Sequence, residues 1–156
     1  MIGVSGASTF IFCTNPAGPA ILGAPNVLLS GVAISGATNA GAVGLLFNQS
    51  GQMEVLNVAF GPNDTCAKCD ASGTVNAFLG MNSVSLGNAG TPMTSGLYAH
   101  TDSSGTSSAQ LSASNVVINN LTGPYADEIF HAHGIGSKML VNSTTINYNN
   151  NTTNGT

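Results

Sequence analysis

A nine-residue phrase recurs along the chain and organises the sequence. Its clearest copies are residues 26–34, NVLLSGVAI, and 52–60, QMEVLNVAF, which align without a gap. A further good copy is residues 138–146, KMLVNSTTI, and two looser copies begin near Ser83 and at Asn115. The start-to-start intervals are roughly 26, 31, 32 and 23 residues. An irregular period of about 20 to 50 residues with β character predicts a solenoid, in which coils stack along one axis.

The apolar positions within the phrase predict a strand that bends. The second, fourth and ninth positions are apolar, and the seventh is small or β-branched. The second and fourth follow strand alternation, whereas the ninth breaks it, so we expect the backbone to bend around the sixth position. Stacked coils place like side chains about 4.8 Å apart. The clearest predicted column, from the fourth position, is Leu29, Val55, Leu86, Ile118 and Val141.

A second strand is expected before the phrase in each coil. The candidate segments are residues 43–47, 76–81, 96–100 and 128–133. Segments of variable length between the strands are expected to form loops that project from the stack. These segments are residues 61–73, 87–95 and 101–108. Gly or β-branched residues interrupt every helical pattern, so no helix is expected. We interpret residues 1–150 as one all-β solenoid domain of about five coils, with residues 151–156 as a polar tail.

Charged residues are scarce, which limits the partners of this chain. Lys and Arg together number 2 and Asp and Glu number 6, so 5% of residues are charged, against about 25% in an ordinary domain. Tight nucleic-acid binding needs several cations to displace counterions, so this class of partner is excluded. The same shortage argues against electrostatic binding to an anionic membrane. No apolar run reaches about 18 residues, and no membrane span is expected.

Two stretches, NVLLSGVAISG at 26–36 and GLLFNQSGQMEVLNVAF at 44–60, resemble a known family. They are similar to the coils of right-handed parallel β-helix proteins of the pectate-lyase-like superfold, whose repeats commonly read N-V-x-I-x-N-x-x-I. The resemblance covers roughly residues 20–150 and implies a right-handed parallel β-helix. Polysaccharide lyases, glycoside hydrolases, phage tailspikes and adhesins share this fold, so the resemblance implies the fold far more than a function.

The catalytic groups that the resemblance implies are mostly missing from the sequence. Hydrolases of the superfold use paired Asp residues, and its lyases use acidic Ca²⁺ clusters with an Arg base. This chain has no Asp-Asp pair and no Arg. Asp127 and Glu128 are adjacent, but successive strand residues point to opposite faces. A pair across coils with Asp102 is the remaining arrangement for hydrolysis, which needs two carboxyls about 5–9.5 Å apart.

Histidines form the strongest local cluster. The chain has 3 of them, and His131 and His133 share one strand face. If Phe130 stacks on Leu97, His133 stacks on His100. The candidate ligand-binding residues are His100, Asp102, Asp127, Glu128, His131 and His133. The open interpretations are a Zn²⁺ or Cu²⁺ site, a pH sensor, a glycan contact, or a stacked ladder without a ligand. We favour the ladder, and assign no catalytic residue, metal ligand or cofactor.

Three cysteines, Cys13, Cys66 and Cys69, are disulfide candidates. The C-x-x-C at 66–69 is also compatible with half a zinc site or a redox pair. A structural zinc site requires four ligands. A redox pair of this spacing normally follows a strand and precedes a helix. The flanking Gly, Pro, Asn and Asp residues predict a loop instead. A disulfide within this loop, or one that pairs with Cys13, is therefore favoured.

Glycosylation motifs and the apolar N-terminal segment indicate where the protein is located and how it associates. The candidate glycosylation sites are Asn48, Asn63, Asn120, Asn142, Asn150, Asn151 and Asn154. If the source is eukaryotic, they predict a secreted glycoprotein at an extracellular or cell-surface location. Residues 1–12 are largely apolar and carry no capping helix, so either neighbours stack end to end or the chain is cut from a longer one.

We expect a structural or adhesive β-solenoid glycoprotein that self-associates into a fibre. Its partners would then be like chains stacked end to end, or glycans. The alternative is a carbohydrate-active or carbohydrate-binding β-helix with its site near Asp127, Glu128 and the histidines.

Overall fold

A computed structural model describes residues 9–87, 94–102, 105–119 and 129–147 of the chain. Within these ranges the chain forms twelve strands and no helix. The strands are β1 (Thr9–Phe12), β2 (Pro19–Leu22), β3 (Leu28–Ser30), β4 (Val32–Ser35), β5 (Val43–Phe47), β6 (Gly51–Phe60), β7 (Thr65–Ala71), β8 (Asn76–Gly87), β9 (Ser95–Thr101), β10 (Ser108–Asn119), β11 (Phe130–His133) and β12 (Ser137–Asn147).

All of these strands pair in parallel, and the chain alternates between two sheets. Sheet A has the order β1-β4-β6-β8-β10-β12 with β3 beside β6, and sheet B has the order β11-β9-β7-β5-β2. Each strand therefore pairs with the strand one coil away. The chain is a parallel β-solenoid, or β-helix, of about four turns. The predicted all-β solenoid is confirmed, with about one coil fewer than expected. No membrane-spanning helix is found among the described residues.

The strand register places the repeat differently from the sequence alignment. Gln52 pairs with Phe78, Phe78 with Gln110, and Gln110 with Lys138. The copies therefore begin at residues 26, 52, 78, 110 and 138, at intervals of 26, 26, 32 and 28. The sequence places the third and fourth copies at residues 83 and 115, which is five residues too late.

The sixth position of every copy has a positive φ. The five angles are 68° at Gly31, 53° at Asn57, 55° at Ser83, 52° at Asn115 and 55° at Ser143. This left-handed conformation is easy for Gly, tolerated by Asn and costly for most other residues. One such residue turns the strand, so that in the first four copies the fourth and seventh positions, on either side of the bend, both face the interior. The predicted bend at the sixth position is confirmed.

The core consists of columns of like positions along the axis. The fourth-position column is Leu29, Val55, Met81, Ala113 and Val141. The ninth-position column includes Ile34, Phe60, Leu86 and Ile118. Leu86 and Ile118 are completely buried, but the prediction was wrong about their column because the third and fourth copies begin earlier.

Residues 61–73, expected to form a loop, instead contain strand β7. In this strand Ala67, Cys69 and Ala71 are buried, whereas Lys68 and Asp70 are only partly buried. β7 is the second strand of its coil, next to β5 and β9 in sheet B. Residues 76–81, expected to form that second strand, belong to β8 in sheet A. Lys68 and Asp70 therefore lie in the sheet that carries the histidines.

Candidate functional site

The outer face of sheet B carries the three histidines among the six candidate ligand-binding residues. One row across the strands contains Lys68, Tyr98 and His131, and the next row contains Asp70, His100 and His133. Strand alternation turns these side chains outward, whereas Ala67 and Leu97, in the row before them, are buried in the core. We call the six residues of the two rows, Lys68, Asp70, Tyr98, His100, His131 and His133, the imidazole face.

The histidine rings stack along the solenoid axis. The ring centroids of His100 and His133 are 5.6 Å apart, and the two planes differ by 7°. His131 stacks on Tyr98 with centroids 4.6 Å apart, and meets His133 edge-on at 6.0 Å. The pairing of Phe130 with Leu97 sets this register. The predicted stacking of His133 on His100 is therefore confirmed.

Asp70 is the carboxylate of the imidazole face. One of its oxygens lies 2.9 Å from Nζ of Lys68, and the other lies 2.6 Å from Nδ1 of His100. Partial burial by itself would raise the pKa of Asp70. The hydrogen bonds from His100 and Lys68, together with the charges of these two partners, outweigh burial and lower the pKa below its ordinary value. Asp70 therefore stays ionised and holds one ring nitrogen of His100.

Asp70 was not among the predicted site residues, because the residues around it were expected to form a loop. The signal was the alternation in Thr65–Ala71, where small residues at 67, 69 and 71 flank polar residues at 68 and 70. That alternation indicates a half-buried strand. The interior residues are Ala and Cys instead of large aliphatic side chains, so the pattern is weak in a hydrophobicity profile.

Both faces of the Tyr98 ring are covered. Nζ of Lys68, one coil before it, lies 5.1 Å from the ring centroid, and His131, one coil after it, stacks on the ring. Sugar rings bind to proteins by stacking on open aromatic faces. Tyr98 therefore offers no such platform in this arrangement.

Of the predicted acidic residues, Asp102 does not join this cluster. Asp102 accepts hydrogen bonds from the backbone N–H of Gly73 at 2.7 Å and from the hydroxyl of Ser107 at 3.0 Å. These contacts tie a corner of one coil to the next. Asp127 and Glu128 lie outside the described residues. The cluster that the structure describes thus combines three histidines with Asp70 instead of Asp102.

The other described carboxylates also have hydrogen-bond partners in the fold. Asp64 is buried and accepts hydrogen bonds from the backbone N–H of Gly41 and the hydroxyl of Thr94, both at 2.7 Å. Glu54 accepts a short hydrogen bond from the amide of Gln52. All four carboxylates within the described residues therefore have hydrogen-bond or ion-pair partners in the fold.

The three thiols are free, which corrects the predicted disulfide. Cys66 and Cys69 are three residues apart in extended β7, so their Cα atoms are about 10 Å apart. A disulfide needs a Cα separation of about 4.4–6.8 Å. Burial raises the pKa of Cys69 to about 12 and also raises that of Cys66. Thiols held in this form are poor redox groups and poor metal ligands.

Only some of the predicted glycosylation sites are accessible. Asn63 is 2% exposed, and its side chain bonds to the backbone of Ala37, Ile34 and Gly61. A glycan there is incompatible with this fold, so the prediction was wrong for Asn63. Asn48 and Asn142 are exposed. The remaining candidates, Asn120, Asn150, Asn151 and Asn154, lie outside the described residues.

Exposed large apolar side chains are confined to the two ends of the described stack. At the N-terminal end they are Phe10, Phe12 and Leu22, which precede the first copy of the repeat, and Val27 and Leu28 within it, and these side chains are 43–75% exposed. In the last coil they are Ile135 at 69% and Leu140 at 57%. Among the described residues between these coils, no large apolar side chain is exposed to this degree. We call the two groups the apolar ends.

Neither a preformed metal site nor a similar protein indicates a function for this chain. Among the described residues, no three His, Cys, Asp or Glu side chains already converge closely enough to hold a metal ion. Comparison of the chain with family models, with curated proteins and with solved structures found no match. The function is therefore argued from the geometry of this chain alone.

Proposed function

We propose that this chain is an extracellular structural β-solenoid that associates end to end with copies of itself. The observation that carries the proposal is the position of the exposed large apolar side chains, which among the described residues lie at the two ends of the stack and not between them. Water-exposed apolar surface is costly, and patches of it commonly mark protein–protein contacts. Contacts at opposite ends of one axis are heterologous, and they build filaments when the rotation does not close a ring.

Strand edges at both ends of the stack support the same arrangement. Among the described residues, β12 pairs only with β10, and its opposite edge spans up to 11 residues. Within the described ranges, β1, β2 and β3 are the corresponding edge strands at the other end. Open edges carry unpaired N–H and C=O groups and act as templates for further strands. Because every pairing in the stack is parallel, a second copy added in the same direction continues both sheets.

The described acidic groups favour a structural role over glycoside hydrolysis. Hydrolysis needs two carboxyls flanking the scissile bond. Asp64 and Asp102 instead hold corners of neighbouring coils, and Asp70 pairs with Lys68 and His100. Tyr98, the tyrosine among the described residues, has both ring faces covered and so offers no stacking platform for a sugar.

Sedimentation velocity over a wide range of concentrations tests the proposed association. We expect the parent chain to form larger species as concentration rises. Phe12→Ser combined with Leu140→Ser should shift the chain toward monomer, because both ends lose apolar area that association would cover. Phe78→Ser is the matched control, since Phe78 lies on the outward row of the third coil, with Gln52 and Gln110. A parent that stays monomeric throughout, or a control that dissociates equally, would contradict the proposal.

The extracellular location rests on the exposed acceptors Asn48 and Asn142. Material secreted by glycosylating cells should carry mass beyond the polypeptide, and Asn48→Gln and Asn142→Gln should each remove part of it. Asn63→Gln should leave the glycan mass unchanged, because that side chain is buried. An intact mass equal to that of the bare polypeptide would argue against glycosylation, while leaving the sedimentation test unaffected.

A further inference from the structure

We propose that the imidazole face binds one divalent transition-metal ion, of the Zn²⁺ or Cu²⁺ class, through His100, His131 and His133. All 3 histidines of the chain lie in this one patch of two neighbouring strands. Imidazole nitrogen is a preferred ligand for these ions. The proposal does not depend on end-to-end association, because the patch lies on an outer sheet face.

The hydrogen bond from Asp70 prepares His100 for this role. Nδ1 of His100 lies 2.6 Å from a carboxylate oxygen of Asp70. A carboxylate only accepts hydrogen bonds, so in the neutral imidazole the proton is on Nδ1, and the lone pair is on Nε2. Metal-binding histidines commonly have a carboxylate on their second nitrogen in this way, which fixes the ring and raises its basicity.

The ring separations are close to those of a metal site. A Zn–N distance of about 2.0–2.1 Å with tetrahedral angles places the centroids of two ligating imidazoles about 5 Å apart. The observed centroid separations are 5.6 Å for His100 and His133 and 6.0 Å for His131 and His133. The backbone therefore already holds the rings at a suitable spacing.

The rings must turn before they can share an ion. His100 and His133 are nearly parallel, so their lone pairs do not meet in the stacked arrangement. We expect rotation about the side-chain bonds to bring the lone pairs together without movement of the strands. His133 is exposed at the outer end of the stack, so it has room to rotate. Metal binding should therefore replace ring stacking, and water would complete the coordination.

The composition of the patch selects the class of ion. Ca²⁺ and Mg²⁺ require several oxygen ligands, and Asp70 is the one carboxylate of the imidazole face, already paired with Lys68. Thiolate ligands are missing from the outer face, because Cys66 and Cys69 are buried. Nitrogen ligands alone favour borderline ions such as Zn²⁺ and Cu²⁺.

Calorimetric titration of the intact chain with Zn²⁺, and separately with Cu²⁺, tests the proposal, with Mg²⁺ as the negative comparison. We expect one ion per chain. His133→Gln should weaken binding by about tenfold or more, and Asp70→Asn by about 10- to 100-fold through the loss of orientation at His100. Electron paramagnetic resonance of the Cu²⁺ form should report more than one nitrogen ligand. Circular dichroism checks that each variant keeps the fold.

A relocated histidine provides the matched control. His133→Gln combined with Gln110→His keeps three imidazoles but moves one to the outer face of sheet A, on the row of Gln52 and Lys138. This variant should bind as weakly as His133→Gln alone. Equal affinity of this variant and the parent would show that isolated imidazoles suffice, and would overturn the proposal. So would a parent that binds neither Zn²⁺ nor Cu²⁺, or a Cu²⁺ spectrum with a single nitrogen ligand.

Discussion

At the scale of single residues, Asp70 links charge to stability on the outer face of sheet B. Its partners, Lys68 and His100, lower its pKa below the ordinary value despite partial burial. A carboxyl with a lowered folded-state pKa stabilises the fold above its unfolded pKa, which is about 3.9. That contribution is lost as the pH falls through the folded-state pKa, because both states are then protonated.

We therefore expect the stability difference between the parent and Asp70→Asn to depend on pH. The parent should be more stable between about pH 5 and 7, and the difference should shrink as the pH falls below about 4. Urea unfolding at a series of pH values measures it. A difference that stays constant from neutral pH down to about pH 2 would mean that the ion pairs of Asp70 contribute nothing.

Ser83 is a second residue that affects stability, because its backbone adopts the left-handed conformation at the bend of its coil. It occupies the sixth position of its copy with φ of 55°, where Asn57 and Asn115 occupy the same position in neighbouring copies. Ser83→Val should lower the free energy of unfolding by about 1–2 kcal/mol, because a β-branched residue fits the left-handed region poorly. Ser83→Asn should cause no comparable loss.

The control for Ser83 is Ser112→Val, on the outer side of β10. Ser112 lies in extended strand, where Val is favoured over polar residues. Denaturant unfolding should therefore show a loss for Ser83→Val and not for Ser112→Val. If both substitutions cost the same, the loss reflects the side chain and not the bend.

At the scale of secondary-structure elements, β7 shows how a strand with small inward residues escapes sequence analysis. Cys69 lies against sheet A, where its thiol is 3.6 Å from the carbonyl oxygen of Ala77 and 3.5 Å from that of Gln110. The opposite strands therefore approach closely at this level, and the space suits a small side chain. A sequence pattern built on large apolar residues cannot detect such a strand.

The placement of β7 predicts the reactivity of the three thiols. Cys13 is partly exposed, whereas Cys66 and Cys69 are buried. Titration of the folded chain with a thiol reagent should modify Cys13 quickly and the other two only after unfolding, because thiolate formation is suppressed by burial. Cys13→Ser should abolish the fast phase. Three fast thiols would contradict the assignment, as would a mass two hydrogens below that of the reduced chain.

At the scale of the whole molecule, each coil contacts only its neighbours, and the ends differ from the middle. Solenoids of this kind gain stability from interfaces between adjacent repeats, and their terminal repeats normally need covering. In this chain the exposed large apolar side chains of the described residues lie at the first and last coils. The proposed end-to-end association and the proposed metal site therefore use different surfaces, the ends of the stack and one of its sides.

The sequence by itself determined the coil and its bend. Alternation of apolar residues and the Gly, Asn or Ser at the sixth position are local properties, visible in the copies at 26–34 and 52–60. The register of the histidine rows also followed from sequence, because Phe130 and Leu97 are inward-facing aromatic and aliphatic residues of equivalent strands.

Only the tertiary structure decided how the middle coils align and which polar residues meet. Corner lengths vary from coil to coil, so the copies at 78 and 110 are identified by strand pairing and not by spacing. That pairing separates Cys66 from Cys69, buries Asn63 and brings Asp70 to His100. The physical reason is that a one-residue shift in a strand reverses which side chains face the core, and only contacts with the coils above and below choose between the alternatives.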